Sequence, residues 1–273
     1  MRISSIPFLN RTSRLLLAGR RAHDALLGRL ARLQVPQLEE EPALINKAYG
    51  VYDGVDIEIP GMSDEEYVTW EEPEGLDLHG GGYGSRGGHK PRIIVLHWGG
   101  YNPAHCRRVL AARGYASHLG VGRGRAFQWL DFRYSAWHAG YVNKYAIGID
   151  ICASPMPNLL DRQLAQGYEI AAMENPSDRG PDVCLSLDPV MARTTHKLVK
   201  ALCAAFDIPF HCPRGEGGFL GTRPEAPRYD GVVPKAVLND PCTSGVIGHH
   251  HIKSVKWDIA PWWDQIFDGT DLA

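Results

Sequence analysis

Several scarcities in this sequence narrow its function before any motif is read. It has no charge excess: 29 Lys and Arg stand against 31 Asp and Glu, a formal net charge of −2, which supplies no overall attraction to nucleic acid or to an anionic membrane. It has no apolar run near the ~20 residues a membrane span needs. The short stretch Leu15-Leu16-Leu17-Ala18 is cut off by Arg20-Arg21, so neither a membrane span nor a cleavable secretory signal is expected. Cysteine is sparse, six in 273 residues with no Cys-x-x-Cys pair, which fits neither a disulfide scaffold nor a structural zinc knot. Cys106, Cys152, Cys184, Cys203, Cys212 and Cys242 are read as mostly reduced and buried, with pairing among the later ones left open. What is present, 44% hydrophobic residues over this length, suffices for a large core and excludes disorder throughout.

The chain changes character along its length. Residues 1–35 carry seven arginines against the single acid Asp24, and Leu16, Leu26, Leu27, Leu30 and Leu33 recur at helical spacing, the pattern of a basic amphipathic helix. Such a helix packs on the rest of the chain, docks a partner or lies on a membrane surface; an apolar face without Trp or Phe favours docking over membrane. Acidic runs follow at Glu39-Glu40-Glu41, Asp64-Glu65-Glu66 and Glu71-Glu72-Pro73-Glu74, and then the glycine-rich tract 80–88. That tract reads as a hinge or linker, so residues 1–88 are expected to form an anchoring segment and 89–273 the main domain. Beyond it, short apolar bursts at Ile93–Leu96, Leu119–Val121, Phe127–Leu130 and Ala146–Ile149 read as buried strands. Helices expected at Ala104–Arg113 and Asp188–Phe206 would cover them, giving an α/β domain. Two long irregular stretches, 154–187 and 210–244, are expected to shape a cleft or an interaction surface.

Histidine carries the chemistry. His97 ends the apolar run Ile93–Leu96 just before Gly99-Gly100, and strand ends are where α/β sheets place ligands. A second apolar run, Gly245–Gly248, ends in His249-His250-His251, followed by Lys256-Trp257-Asp258. Two imidazoles and one carboxylate are a three-donor set suited to catalytic zinc; the alternative for the triple histidine is a surface tract. In an extended segment Lys256 and Asp258 point to the same side, so an ammonium and a metal could face one carbonyl oxygen. Asp150, closing the apolar run 147–149, is a candidate general base or, alternatively, a salt-bridged acid. His138 either lines a substrate groove or is bonded to backbone, and His118 is expected to be structural. Trp98, Trp129, Trp137 and Tyr141 could stack on sugars or belong to the core.

Read together, Ile94-Val95-Leu96-His97-Trp98, Ala116–Val121, Ala136-Trp137-His138-Ala139-Gly140, Ala146–Asp150 and Gly248–Ile252 with Lys256-Trp257-Asp258 resemble the type-2 N-acetylmuramoyl-L-alanine amidase family. The resemblance covers most of residues 92–268. It implies a central mixed β-sheet flanked by helices, with the N-terminal segment separate, and a zinc-dependent cleavage of the amide between N-acetylmuramic acid and L-alanine in peptidoglycan. His97, His249 and Asp258 match that family's metal ligands and Lys256 its oxyanion-stabilising lysine; choosing His249 among the three histidines rests on the family's Gly-His pattern. Asp150 takes the place of the base, and His138, Trp98 and Ser117 that of substrate-groove residues. The chain departs from the family at two positions: bacterial muropeptide amidases carry glutamate where Asp150 stands, and amidase-type phage lysozymes carry tyrosine where Ser117 stands. The expected role is that of a phage endolysin or virion-associated lysin, present in the host cytoplasm or on the particle and acting on the cell wall. The alternatives are a non-catalytic peptidoglycan-binding module and a structural part of a phage tail or baseplate, anchored to phage proteins through the N-terminal segment.

Overall fold

The computed structural model describes residues 47–69, 81–214, 218–219 and 231–267. The basic helix expected within residues 1–35 and the acidic runs at 39–41 and 71–74 lie outside them. The described residues all belong to one unit, 46–273.

Its strands, in chain order, are β1 (Lys47–Tyr52), β2 (Val55–Ser63), β3 (Tyr67–Thr69), β4 (Tyr83–Ser85), β5 (Ile93–Trp98), β6 (Leu119–Val121), β7 (Ala126–Gln128), β8 (Tyr134–Ala136), β9 (Ala146–Ile151), β10 (Ala172–Glu174), β11 (Val183–Leu185), β12 (Pro213–Arg214), β13 (Gly218–Phe219) and β14 (Gly245–Gly248). The helices are α1 (Pro103–Ala112), α2 (Leu160–Ala165), α3 (Pro189–Ala205), α4 (Lys235–Asn239) and α5 (Trp263–Phe267). Six strands form the central sheet in the order β14-β5-β9-β6-β7-β3. Pairing is parallel except between β6 and β7, so the sheet is mixed, as expected.

The central strands follow from their composition. β9 is buried at all six positions and β5 at its first five, the mark of strands covered on both faces, where an unbroken apolar run replaces alternation. On one face, Ile94, Leu96, Ile147 and Ile149 pack with Met191, Leu198 and Leu202 of α3 and with Trp262 and Trp263. On the other, Ile93, Val95, Ala146 and Ile247 form a smaller cluster with Val142 and Leu238.

Both long helices begin where their capping signals put them. Asn102 accepts a hydrogen bond from the His105 amide ahead of Pro103, and Asp188 accepts from the amides of Val190 and Met191 ahead of Pro189. Each combines a side-chain cap with a proline whose missing N–H would have had no helical partner.

Three expectations change. The glycine tract is not a linker where it is described: β4 pairs antiparallel with β8. Gly81, Gly82, Gly87 and Gly88 have positive φ, and a Cβ on Gly82 would lie 2.5 Å from the Tyr115 backbone. The glycines thus serve tight turns and a close approach around a short strand. The domain division likewise falls upstream of residue 88, because β3 is an edge strand of the central sheet and Ala48, Ile59, Met62 and Tyr67 join its core. Glu66 of the acidic run 64–66 pairs with Lys197 of α3 at 2.6 Å. Finally, the stretch 154–187 is partly regular, containing α2 and the β10–β11 hairpin. All six cysteines are free, and Cys242 alone among them is exposed.

Arg86, inside the supposed linker, is only 3% exposed. Its guanidinium donates to the carbonyls of Phe132 at 2.7 Å, Lys144 at 3.1 Å and Ala146 at 3.0 Å, tying β4 to the segment that enters β9. Burial lowers its pKa to about 10, which leaves it charged. His118 lies beside it, fully buried, with Nδ1 accepting from the Gly148 amide at 3.0 Å and Nε2 facing the Tyr134 carbonyl at 3.0 Å. Its role is structural, as the sequence implied.

Burial, and secondarily the Arg86 charge, press the His118 pKa down to about 3. Between an unfolded value of ~6.5 and that folded value the unfolded chain binds a proton that the native chain refuses, so stability falls as pH drops through this window. Urea unfolding of His118→Gln should therefore lose less stability than the parent between pH 6.5 and 4, with the gap on the order of 1 kcal/mol or more. Parallel curves would exclude His118 as the source.

Candidate active site

β5 and β14 are parallel neighbours, with Gly248 in register with Leu96, so both runs end at the same edge of the sheet. His97 is the next residue of β5, and His249 opens a single 3-10 turn, His249–His251, directly after β14. The chain then loops back through residues 252–257 to bring Asp258 against the two histidines. His97 Nδ1 lies 3.1 Å from His249 Nδ1, and Asp258 Oδ2 lies 3.0 Å from His249 Nδ1 and 3.6 Å from His97 Nδ1. All three residues are buried, at 5–6% exposure.

Three donor atoms facing one another this closely fit a single metal ion. Ligands ~2.0–2.2 Å from a tetrahedral zinc stand ~3.3–3.6 Å apart, within a few tenths of an ångström of the observed separations. The electrostatics agree with the donor chemistry. Burial lowers the His249 pKa to about 4, which keeps the imidazole neutral. Despite the opposing effect of burial, hydrogen bonds to His249 and His97 hold the Asp258 carboxyl well below the ordinary range. Among the described residues this is the one group of three or more His, Cys, Asp or Glu placed to share a metal ion.

Around this cluster the structure orders the remaining residues. His97 Nε2 lies 2.8 Å from His138 Nδ1. With His97 Nδ1 turned to the cluster, its Nε2–H donates to His138, the pattern of a ligand oriented by an outer partner. His138 then carries its proton on Nε2, a buried atom without a hydrogen-bond partner in the protein. Burial, reinforced by the neighbouring His97, keeps His138 neutral far below its usual range. Gly148 makes room for this ring, since a Cβ there would lie 2.8 Å from it and from Ser117 Oγ.

Asp150 is the register partner of His97 across β5 and β9, so the two side chains share a face. It is 5% exposed. Burial raises its pKa, while His97, Ser117 and Cys106 favour the charged form. Asp150 also lines a cavity of 370 Å³ with Trp98, Gly99, Cys106 and Leu159. A larger cavity of 730 Å³ between α3 and β2, bordered by Glu66, Arg193 and Lys197, contains none of these residues.

Trp98 is partly exposed and packs on Trp257, ring centroids 5.1 Å apart, beside the cluster. Trp137 is 49% exposed next to His138, whereas Trp129 is fully buried and belongs to the core. Lys256 is partly exposed, and its charge acts on His249. No strand runs through residues 256–258, so the turn after His251, not strand alternation, brings Lys256 and Asp258 to one site.

The flanking histidines bond to backbone groups of the same turn. His250 Nδ1 donates to the Asp258 carbonyl at 3.0 Å, and His251 Nδ1 accepts from the Gly248 amide at 3.0 Å. They brace the turn that carries the donors.

With this geometry established, likeness to known proteins decides the family. The model of the N-acetylmuramoyl-L-alanine amidase family matches residues 87–261, well over half of the chain. The chain belongs to that family. Among curated proteins none matches it in sequence. Among solved structures, an endolysin N-acetylmuramoyl-L-alanine amidase, LysCS from Clostridium intestinale URNW, is similar at 13% identity and a TM-score of 0.39, covering 69% of this chain and 83% of that one. The amidase-family match begins at Gly87 and so leaves out β1–β4, of which β3 is an edge strand of the central sheet, β1 and β2 supply Ala48, Ile59 and Met62 to its core, and β4 pairs with β8. None of its described helices is long and apolar enough to cross a membrane.

Proposed function

We propose that this chain is a zinc-dependent N-acetylmuramoyl-L-alanine amidase, hydrolysing the amide between the lactyl group of N-acetylmuramic acid and L-alanine in peptidoglycan. The observation that carries this reading is the convergence of His97, His249 and Asp258 at 3.0–3.6 Å from strand ends 152 residues apart in the chain. Zinc held there would supply a Lewis acid for the scissile carbonyl and bring the pKa of water toward ~7.

The chain's own groups divide the remaining work. Asp150 takes the proton of the attacking water; its burial raises its basicity toward neutral pH, where a general base is most effective. Lys256 faces the oxygen of the scissile carbonyl and offsets the negative charge that develops as water adds. The C–N bond then breaks, the proton passes to the departing alanine amine, and the lactyl carboxylate is released. The partly exposed Trp98 and Trp257 rings and the exposed Trp137 ring offer apolar faces to the substrate. The donor set is complete, which favours an enzyme over a peptidoglycan-binding module without turnover.

A phage lytic role, free or attached to the virion through the basic segment 1–35, is part of this proposal and rests on the resemblance and on that segment's composition. Metal analysis of the purified chain combined with mass spectrometry of digested peptidoglycan tests the chemistry. One zinc per chain is expected, together with released stem peptides bearing a free L-alanine amine. Cleavage at a glycosidic bond, or between amino acids of the stem, would overturn the assignment.

A further inference from the structure

The loop between two of the three donors is held from outside by a residue far away in the sequence. One nitrogen of Arg179, Nη1, lies 3.1 Å from the carbonyl oxygen of His250, 3.3 Å from that of Lys253 and 2.9 Å from that of Lys256. These carbonyls span the arc from His249 to Asp258 and include that of Lys256 itself. The base of the arc is closed by His250, whose amide and Nδ1 both donate to the Asp258 carbonyl, at 3.2 and 3.0 Å. Its middle is closed by Arg179.

The turn that presents Arg179 is rigid in its own right. Asn175 Nδ2 donates to the carbonyls of Arg179 at 2.7 Å and Pro181 at 2.9 Å, and the Arg179 amide donates to Ser177 Oγ at 3.1 Å. Next to it Gly180, at φ +88°, presses on the Trp257 ring so closely that a Cβ would sit 2.6 Å from it. The turn therefore meets the arc both at a cationic pin and at an aromatic contact, immediately before Asp258.

We propose that Arg179 is a positioning residue for this site: by gathering the three carbonyls of residues 250, 253 and 256 it fixes the spacing of His249 and Asp258 and the reach of Lys256. The inference rests on the amidase reading for what Lys256 does, and on the donor cluster alone for metal affinity. A charged donor is suited to the task because N–H bonds from a cation are stronger than neutral ones and the two N–H groups of Nη1 can be shared among three carbonyls in three-centre bonds. Without it the arc keeps its ends and loses its middle, so the two donors separate more freely and the ammonium swings away from the carbonyl it should face.

The test measures zinc affinity by chelator competition on the full chain, and separately kcat and KM on purified muropeptides, for Arg179→Ala and Arg179→Lys. Arg179→Ala is expected to weaken zinc binding by ~10–100-fold, the usual effect of losing an outer partner of a metal site, and to lower kcat with KM changed much less. A lysine ammonium carries three donors, so Arg179→Lys is expected to recover most of both losses. Melting in excess chelator controls for folding: the variants should melt within a few degrees of the parent. Parental zinc affinity in Arg179→Ala would overturn the proposal. So would a lysine variant as impaired as the alanine one, or a loss of affinity matched by an equal loss of metal-free stability. If zinc affinity falls as expected while the parent cleaves no muropeptide amide, the positioning role stands and the amidase reading fails. If the parent cleaves and the variants bind zinc normally, the reverse holds. A parent that binds no zinc sinks both.

Discussion

His97→Ala is expected to abolish zinc binding and peptidoglycan hydrolysis together, with kcat/KM falling at least ~10³-fold. The magnitude follows from two contributions. The Lewis acid is worth several kcal/mol of transition-state stabilisation, and each 1.36 kcal/mol is a factor of ten in rate. His97 also stands at the centre of the contacts: it touches His249 at 3.1 Å, Asp258 at 3.6 Å and His138 at 2.8 Å. Its loss removes one donor and releases the ring that holds His138. The chain should nevertheless stay folded, because β5 is anchored by Ile93, Ile94, Val95 and Leu96, all fully buried. Metal content per chain, release of soluble muropeptides and the melting curve decide the matter together. A variant that keeps one zinc and the parental rate refutes the role of His97, and one that fails to fold shifts the question to His97→Gln, which preserves bulk.

Lys256→Ala and Asp150→Asn are expected to do the opposite of His97→Ala as regards metal: zinc stays and turnover goes. Neither side chain belongs to the donor cluster. Removing a single oxyanion donor costs ~10²–10³-fold in kcat, and loss of a general base ~10²–10⁴-fold. Lys256→Ala should therefore lower kcat by ~10²-fold or more while a chelator competes for zinc no better than in the parent. In the metal-free chain the same substitution should let the His249 pKa rise, since the ammonium lowers it. Asp150→Asn should bind zinc normally and lose the acidic limb of the pH–rate profile. Asp150→Glu adds a methylene and tests whether the short side chain limits the rate. Parental kcat in the alanine variant removes Lys256 from the oxyanion role, and parental kcat in the asparagine variant removes Asp150 as the base.

Much of the site was legible because its donors sit where local patterns end. The fully buried runs of β5, β9 and β14 are unmistakable in an α/β chain, and a histidine or aspartate closing such a run is exposed to whatever gathers at the sheet's edge. His97 and the tract 249–251 stood out for that reason, the choice of His249 within the tract came from the family resemblance, and parallel pairing of β5 with β9 makes His97 and Asp150 register partners. The residues that escaped notice act across large separations through groups that carry no local signal. Arg179 reaches carbonyls 71–77 positions away, and a carbonyl is present at every residue, so nothing in the sequence marks which ones will converge. Arg86 was hidden for another reason. Glycines on both sides make the tract look unstructured, although positive φ at Gly82 and Gly87 is what lets the chain turn tightly enough to bury the arginine.

Legible in one dimension were the parts: the strand-forming runs, the Asn-Pro and Asp-Pro starts of α1 and α3, and the candidate donors His97, the tract 249–251 and Asp258, with Lys256 beside them. Periodicity and capping are local, and local order survives in one dimension. Only the tertiary structure decided which of three consecutive histidines faces His97, because the 3-10 turn after β14 points His249 at the cluster and turns His250 and His251 to backbone groups. It also decided that β3 joins the central sheet and that β1 and β2 pack on its core, and that a loop 71–77 residues upstream meets the arc bearing Lys256. Those outcomes depend on which surfaces meet, and a contact between distant segments is a property of the packed chain alone.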